Sequence, residues 1–176
     1  YRRVCDLVDG PVSAEVVAES RGDMIAEGRR LAAIHDNIVV KLPMGAEALA
    51  ATSALSEEGI RVNMTLCFTA PQALLAAAAG AAFVSPFVGR YDDIGQDGLG
   101  VLREIVEALE LSAYDTEVLA ASIRTPVHVT EAARMGADIA TIPPKVFYQM
   151  LQHPLTAAGA AKFTEDAQAR KAHGAA

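Results

Sequence analysis

The feature that most constrains this chain is an alternation of short apolar runs with longer Ala-rich stretches. Val12–Val17, Ile38–Pro43, Val62–Cys67, Phe83–Val88, Glu117–Ser122 and Ile139–Ile142 are rich in β-branched residues and begin roughly every 20 to 35 residues. That is the spacing of repeated βα units. The stretches between them carry helix punctuation. Ser20–His35 places Met24, Ile25, Leu31 and Ile34 on one stripe, and Ala46–Glu58 stops at Gly59. Thr69 reads as an N-cap with Pro71 in the first turn and Gly80 at the end. Gly98–Leu111 is a further helix, and Thr125, Pro126 and Gly136 bracket another. A short helix at Lys145–Leu151 and a polar helix from about Thr156 close the pattern.

Near-continuous apolar strands in strict βα alternation predict an α/β fold with a parallel sheet. The choice lies between an open doubly wound sheet and a (β/α)8 TIM barrel. No strand is followed by G-x-G-x-x-G or a Walker-type loop, so dinucleotide and P-loop readings lack their signature. A barrel demands polar residues at alternate inward positions near the C-terminal strand ends. They are there: Ser13 with Glu15, Lys41 two residues after Val39, Asn63 with Thr65 and Cys67, Ser85 with Phe87, and Ser122 with Arg124. The expected fold is therefore a (β/α)8 barrel with its first two βα units absent from this sequence. The chain opens on Tyr1 in what reads as the end of a helix, so a preceding segment is expected.

With 176 residues the chain suffices for one domain with a sizeable core, read as a single, N-terminally incomplete barrel domain over residues 1–176. It is 52% hydrophobic and 5% aromatic with no Trp, so Ala, Val, Leu and Ile must build the core. A net charge of −7 without a basic block excludes nucleic acid as a partner. The apolar stretch Ala73–Val88 is interrupted by Gly80 and Pro86 and does not read as a membrane span. Cys5 and Cys67 have no metal-ligand spacing, and Cys67, at the end of an apolar strand, reads as a buried free thiol in a reducing, cytoplasmic compartment.

Within this frame Lys41 stands out, inside Ile38-Val-Val-Lys-Leu-Pro43. An ammonium removed from water costs several kcal/mol unless it is paired or loses its proton. A neutral lysine amine attacks carbonyls, which points to Schiff-base chemistry. The residues alone leave a second reading open, a strand-end lysine whose head reaches water or a carboxylate.

Five segments together carry a family resemblance: Gly10-Pro-Val-Ser-Ala-Glu-Val-Val-Ala18, Ile38-Val-Val-Lys-Leu-Pro43, Gly59-Ile-Arg-Val-Asn-Met-Thr-Leu66, Val84-Ser-Pro-Phe-Val-Gly-Arg90 and Ala120-Ala-Ser-Ile-Arg124. They resemble, in order and spacing, the successive signatures of small transaldolases, the short branch of the transaldolase and fructose-6-phosphate aldolase family. Family members begin with two further βα units, carrying an inward Asp and a Thr-Thr-Asn-Pro run, which this sequence does not contain. The resemblance implies a class I aldol mechanism without metal or cofactor, in which Lys41 forms a Schiff base with C2 of a ketose phosphate. Glu15 is implied as general acid/base, working through a water that Thr65 also holds. Asn63 is implied as a hydrogen-bond partner of a substrate hydroxyl. Arg90, Ser122 and Arg124 are implied as the phosphate pocket, with Ser85 and Phe87 on the carbohydrate side.

Each role has a plainer counterpart. Glu15 could neutralise Lys41 as a structural pair, Asn63 could satisfy barrel backbone groups, and Arg90 could pair with Asp92 and Asp93. His35, His128, His153 and His173 share no motif with a nucleophile and are expected at the surface or at helix ends. Asp92, Asp93 and Asp97 read as a solvated turn with capping carboxylates. The implied activity is transfer of a dihydroxyacetone unit between sugar phosphates of the pentose phosphate pathway. Fructose-6-phosphate aldolase is the alternative, although Glu15 and Phe87 favour transaldolase where the aldolases tend to carry Gln and Tyr. A non-catalytic oligomeric scaffold or inactive fragment is the alternative of another class. The resemblance also implies homo-oligomers, pentameric or decameric, with the C-terminal helix reaching a neighbour.

Overall fold

A computed structural model describes residues 1–174. A single helical turn, α1 (Arg2–Cys5), precedes six strands: β1 (Val12–Glu15), β2 (Ile38–Pro43), β3 (Val62–Cys67), β4 (Phe83–Pro86), β5 (Glu117–Ala120) and β6 (Ile139–Ala140). Helices α2 (Arg21–Ala32), α3 (Ala46–Glu57), α4 (Ala70–Ala78), α5 (Val88–Asp92), α6 (Gly98–Glu110) and α7 (Pro126–Met135) fill the connections, and α8 (Pro144–Met150) and α9 (Pro154–Ala172) follow.

The strands lie in chain order and every neighbouring pair is parallel. A doubly wound sheet reverses its strand order at a switch point; this one does not. It forms a curled half-barrel, six of the eight strands of a (β/α)8 barrel. One face of the strands packs against helices: Val40, Leu42, Val62, Met64, Val84, Val118 and Ala120 share a core with Ala51 and Leu55 of α3, Ala76 of α4 and Leu102 and Ile105 of α6. Ala, Val, Leu and Ile supply most of this core, as the composition predicts. The opposite face carries the polar alternation.

The helix punctuation forms as the sequence predicts. Ser20, Thr69 and Thr125 cap their helices through side-chain oxygens that accept from the amides of Asp23, Gln72 and His128. Asp97 does the same for α6 by accepting from Gly100, as expected of a capping carboxylate. Gly136, with φ of 89°, ends α7 in the left-handed conformation that favours glycine.

Several boundaries differ from the sequence pattern. β1 and β5 end before Val17 and Ser122, and β6 keeps two residues. β1 and β6 are edge strands with one neighbour each, so their ladders are short. The strand expected over Phe83–Val88 stops at Pro86, because the chain turns at Phe87 into α5. Within β3 the register to β4 shifts between Thr65 and Cys67, where Leu66 takes a φ of 57°. This bulge turns Cys67 out of the inward series of Asn63 and Thr65. Cys67 packs instead in the helix-side core, where burial pushes its thiol up to about 12. Cys67 is buried and free, as the sequence predicts, and Cys5 is buried and free as well.

Candidate active site

Strand alternation places Val40 and Leu42 against the helices and leaves Lys41 on the inner face. Parallel register sets Glu15 of β1 beside Lys41 of β2, and Lys41 beside Asn63 of β3. Lys41 Nζ lies 2.8 Å from Glu15 Oε2, with side-chain exposures of 23% and 53%. Lys41 is therefore not an isolated cation in an apolar strand; it is a largely covered amine in contact with a carboxylate. An exposed ion pair stabilises a fold by about 1 kcal/mol or less, so stability alone is a weak reason to aim this lysine inward.

Beside the pair lies a hydrogen-bonded chain across three strands. Asn63 donates through Nδ2 to Ser13 Oγ at 3.1 Å and accepts through Oδ1 from Ser85 Oγ at 2.6 Å. Asn63 is thus satisfied by side chains, not by barrel backbone groups. Ser13 lies on the face of Glu15 in the sequence pattern without an assigned role; here it orients Asn63. Thr65, register partner of Ser85, has its hydroxyl buried and without a hydrogen-bond partner among the described residues. An unsatisfied buried hydroxyl costs about 1–3 kcal/mol, which marks Thr65 Oγ1 as an atom awaiting a polar partner. No hydrogen bond joins Thr65 Oγ1 to Glu15.

The arginine side of the site is assembled at the ends of β4 and β5. Phe87 packs edge-on against Phe68, with centroids 6.2 Å apart, and the Arg90 guanidinium lies 4.9 Å above the Phe87 ring. Tyr91 packs on Phe68 as well, and its hydroxyl donates to the Phe68 carbonyl. Gly89 sits where no side chain fits: a Cβ there would overlap the Ser122 carbonyl oxygen and the Arg124 side chain. Its amide donates to Ser122 O at 3.1 Å, and Ser122 itself is left-handed with φ of 58°. Arg124 Nη2 binds Asp93 Oδ2 at 2.9 Å, both side chains being about half exposed. The pairing partner of Asp93 is thus Arg124, not Arg90.

Asp92 takes a different partner again. It lies 3.0 Å from Nε2 of His128, which is buried rather than superficial. The sequence pattern missed this pair, because His128 shows only as a polar residue in the first turn of a helix. The other described histidines are local: His35 Nδ1 accepts from Asn37 N, His153 Nδ1 accepts from Leu155 N at the start of α9, and His173 contacts Ala169 O. Among the described residues no three His, Cys, Asp or Glu side chains converge as a metal site.

The inner face thus presents two groups along one C-terminal strand edge. One is Glu15, Lys41, Asn63, Ser13, Ser85 and Thr65 on β1 to β4. The other is Phe87, Arg90, Ser122 and Arg124 beyond β4 and β5. A lysine with an adjacent carboxylate can form and hydrolyse an imine, and a pair of arginines can bind an anion.

Comparison with known proteins fits this geometry. The sequence profile of a family described as transaldolase/fructose-6-phosphate aldolase matches residues 1–175. A protein of Symbiobacterium thermophilum named "Probable transaldolase" is 56% identical over 170 residues, covering 97% of this chain and 79% of its own. A protein of the same name from Thermus thermophilus is 62% identical over 165 residues, covering 94% and 74%. Among solved structures, a mandelate oxidase variant superposes with a TM-score of 0.59 at 15% identity, covering 80% of this chain and 52% of that one. At that identity the likeness is one of fold alone. The chain belongs to the transaldolase/fructose-6-phosphate aldolase family.

Proposed function

We propose that the protein is a transaldolase that moves a dihydroxyacetone unit from a ketose phosphate to an aldose phosphate. The donor is sedoheptulose 7-phosphate or fructose 6-phosphate, and the acceptor is glyceraldehyde 3-phosphate or erythrose 4-phosphate, as in the pentose phosphate pathway. The observation that carries the reading is the Lys41–Glu15 contact at 2.8 Å on the inner face of a chain of this family.

The chemistry follows from those groups. Glu15 accepts the proton of Lys41, and the freed amine attacks the C2 carbonyl. Loss of water leaves a protonated imine. Glu15, acting through the bridging water, takes the C4 hydroxyl proton as the C3–C4 bond breaks; the bond's electrons pass to the imine nitrogen and the aldose phosphate departs as an aldehyde. The remaining enamine attacks the acceptor aldehyde, and hydrolysis returns Lys41. Glu15, with Thr65 as the second holder of a bridging water, supplies and removes protons at this nitrogen. Asn63, oriented by Ser13 and Ser85, offers its amide to a substrate hydroxyl. Arg90, Ser122 and Arg124 bind the phosphate, a necessary local reversal of sign in a chain of net charge −7.

We read residues 1–176 as one barrel domain of a cytoplasmic homo-oligomer, pentameric or decameric. Residues 175 and 176 lie outside those described. Among the described residues no helix is long and apolar enough to cross a membrane. The test of function is a coupled assay on the full-length protein with fructose 6-phosphate, with and without erythrose 4-phosphate. Transfer predicts that the acceptor raises glyceraldehyde 3-phosphate release at least about tenfold. Equal release without acceptor would assign the protein to the fructose-6-phosphate aldolases.

A further inference from the structure

His128 is a buried histidine, 8% exposed, in a chain whose polar residues mostly face solvent. It occupies the first turn of α7, where Thr125 Oγ1 accepts its backbone amide at 3.3 Å. Its ring reaches two other segments. Nδ1 accepts the backbone amide of Arg124 at 3.3 Å, and Nε2 lies 3.0 Å from Asp92 Oδ2. An accepting Nδ1 puts the proton of the neutral ring on Nε2, where it donates to Asp92. One imidazole therefore joins the amide of Arg124 to a carboxylate at the end of α5, the segment that carries Arg90.

The same two segments meet at further points, among them the Val88 amide, which donates to Ala121 O at 3.0 Å. The Gly89 amide donates to Ser122 O at 3.1 Å, and Arg124 Nη2 binds Asp93 at 2.9 Å. The left-handed φ of 58° at Ser122 is strained for a non-glycine residue and persists only where the surroundings enforce it. The Asp93–Arg124 contact is half exposed and would have to yield to an anion competing for the same guanidinium. The Gly89 and His128 contacts do not involve the arginine head groups, so they can hold the segments together while an anion binds.

We propose that His128 and Asp92 form a latch that positions Arg90 and Arg124, making His128 a positioning residue for phosphorylated substrates. This rests on the reading of Arg90, Ser122 and Arg124 as the phosphate pocket. Without the imidazole, the Arg124 amide loses its acceptor and the C-terminal end of α5 loses its buried side-chain tie to the β5–α7 connection. The two guanidinium groups would then no longer be held at a fixed separation, and bidentate recognition depends on such placement.

The test uses the full-length protein and two readouts: calorimetric titration with inorganic phosphate, and thermal melting. His128→Ala is expected to weaken phosphate binding about tenfold, the scale of one hydrogen bond in a charged network. His128→Gln, which keeps an amide donor able to face Asp92, should restore affinity to within about threefold of wild type. Asp92→Ala, at a carboxylate that is 40% exposed, cuts the latch from its solvent side and should also weaken phosphate. It carries the test if His128→Ala does not fold. A plain helix-end role predicts lowered melting with unchanged phosphate affinity in both alanine variants, and that result would overturn the latch. Arg124→Ala binding phosphate as tightly as wild type would remove the pocket itself, and the latch with it.

Discussion

At the scale of single residues, the inner face separates what strand periodicity reveals from what it hides. Lys41, Glu15, Asn63 and Thr65 were legible because a period of two fixes which face each occupies. The Lys41–Glu15 pair was legible as one of two readings of Glu15, and the β1–β2 register brings it about. No pattern announces that Asn63 binds Ser13 and Ser85 and not the backbone. His128 and Asp92 were missed for the same reason, since the contact joins two segments far apart in the chain. If Glu15 moves the protons of the imine cycle, Glu15→Ala should lower kcat about a hundredfold or more while leaving thermal stability nearly unchanged. Steady-state kinetics beside a melting curve would check this, and a stability loss with intact kcat would mark the pair as structural. Arg124→Ala should raise the KM for fructose 6-phosphate about tenfold to a hundredfold, as expected for losing charge-assisted hydrogen bonds to phosphate.

At the scale of elements, the helices are legible from caps and the strands from runs, and the failures lie where a strand changes course. The bulge at Leu66 moves Cys67 from the expected inner face to the helix side, and nothing in Val62–Cys67 signals a positive φ at a leucine. That placement has a pH consequence. Burial raises the Cys67 thiol from 9.0 to about 12, slightly opposed by a backbone hydrogen bond of Ser85. The unfolded thiol ionises above about pH 9 while the folded one stays protonated, so its contribution is whole below pH 9 and declines as pH rises toward 12. The decline is roughly 1.4 kcal/mol per pH unit. Denaturant unfolding between pH 8 and pH 11 should show wild type losing stability faster than Cys67→Val by about that slope; equal slopes would place the thiol in contact with solvent. Gly89 sets a second element-level constraint, because α5 approaches the β5–α7 connection with no room for a Cβ. Gly89→Ala should destabilise by about 1–3 kcal/mol, by overpacking, and weaken binding of sugar phosphates as the arginine segments part.

At the scale of the whole molecule, strand order distinguishes a curled barrel wall from a doubly wound sheet, and this much followed from the sequence through the inward polar alternation. Assembly is less legible. Helix α9 buries no residue, and its Leu155 and Phe163 are 75% and 76% exposed. A sequence shows that this helix is polar with an aromatic anchor, but not what the anchor packs against. If it reaches a neighbouring subunit, removing Pro154 onward should convert the oligomer to smaller species in sedimentation velocity without unfolding the barrel. The most direct measurement of the proposed chemistry is borohydride reduction of the full-length protein with fructose 6-phosphate, followed by peptide mass mapping. The predicted result is a single reduced adduct on Lys41, lost in Lys41→Ala. A protein that turns over fructose 6-phosphate and yet carries no adduct, or carries it on another lysine, would contradict Schiff-base catalysis at Lys41.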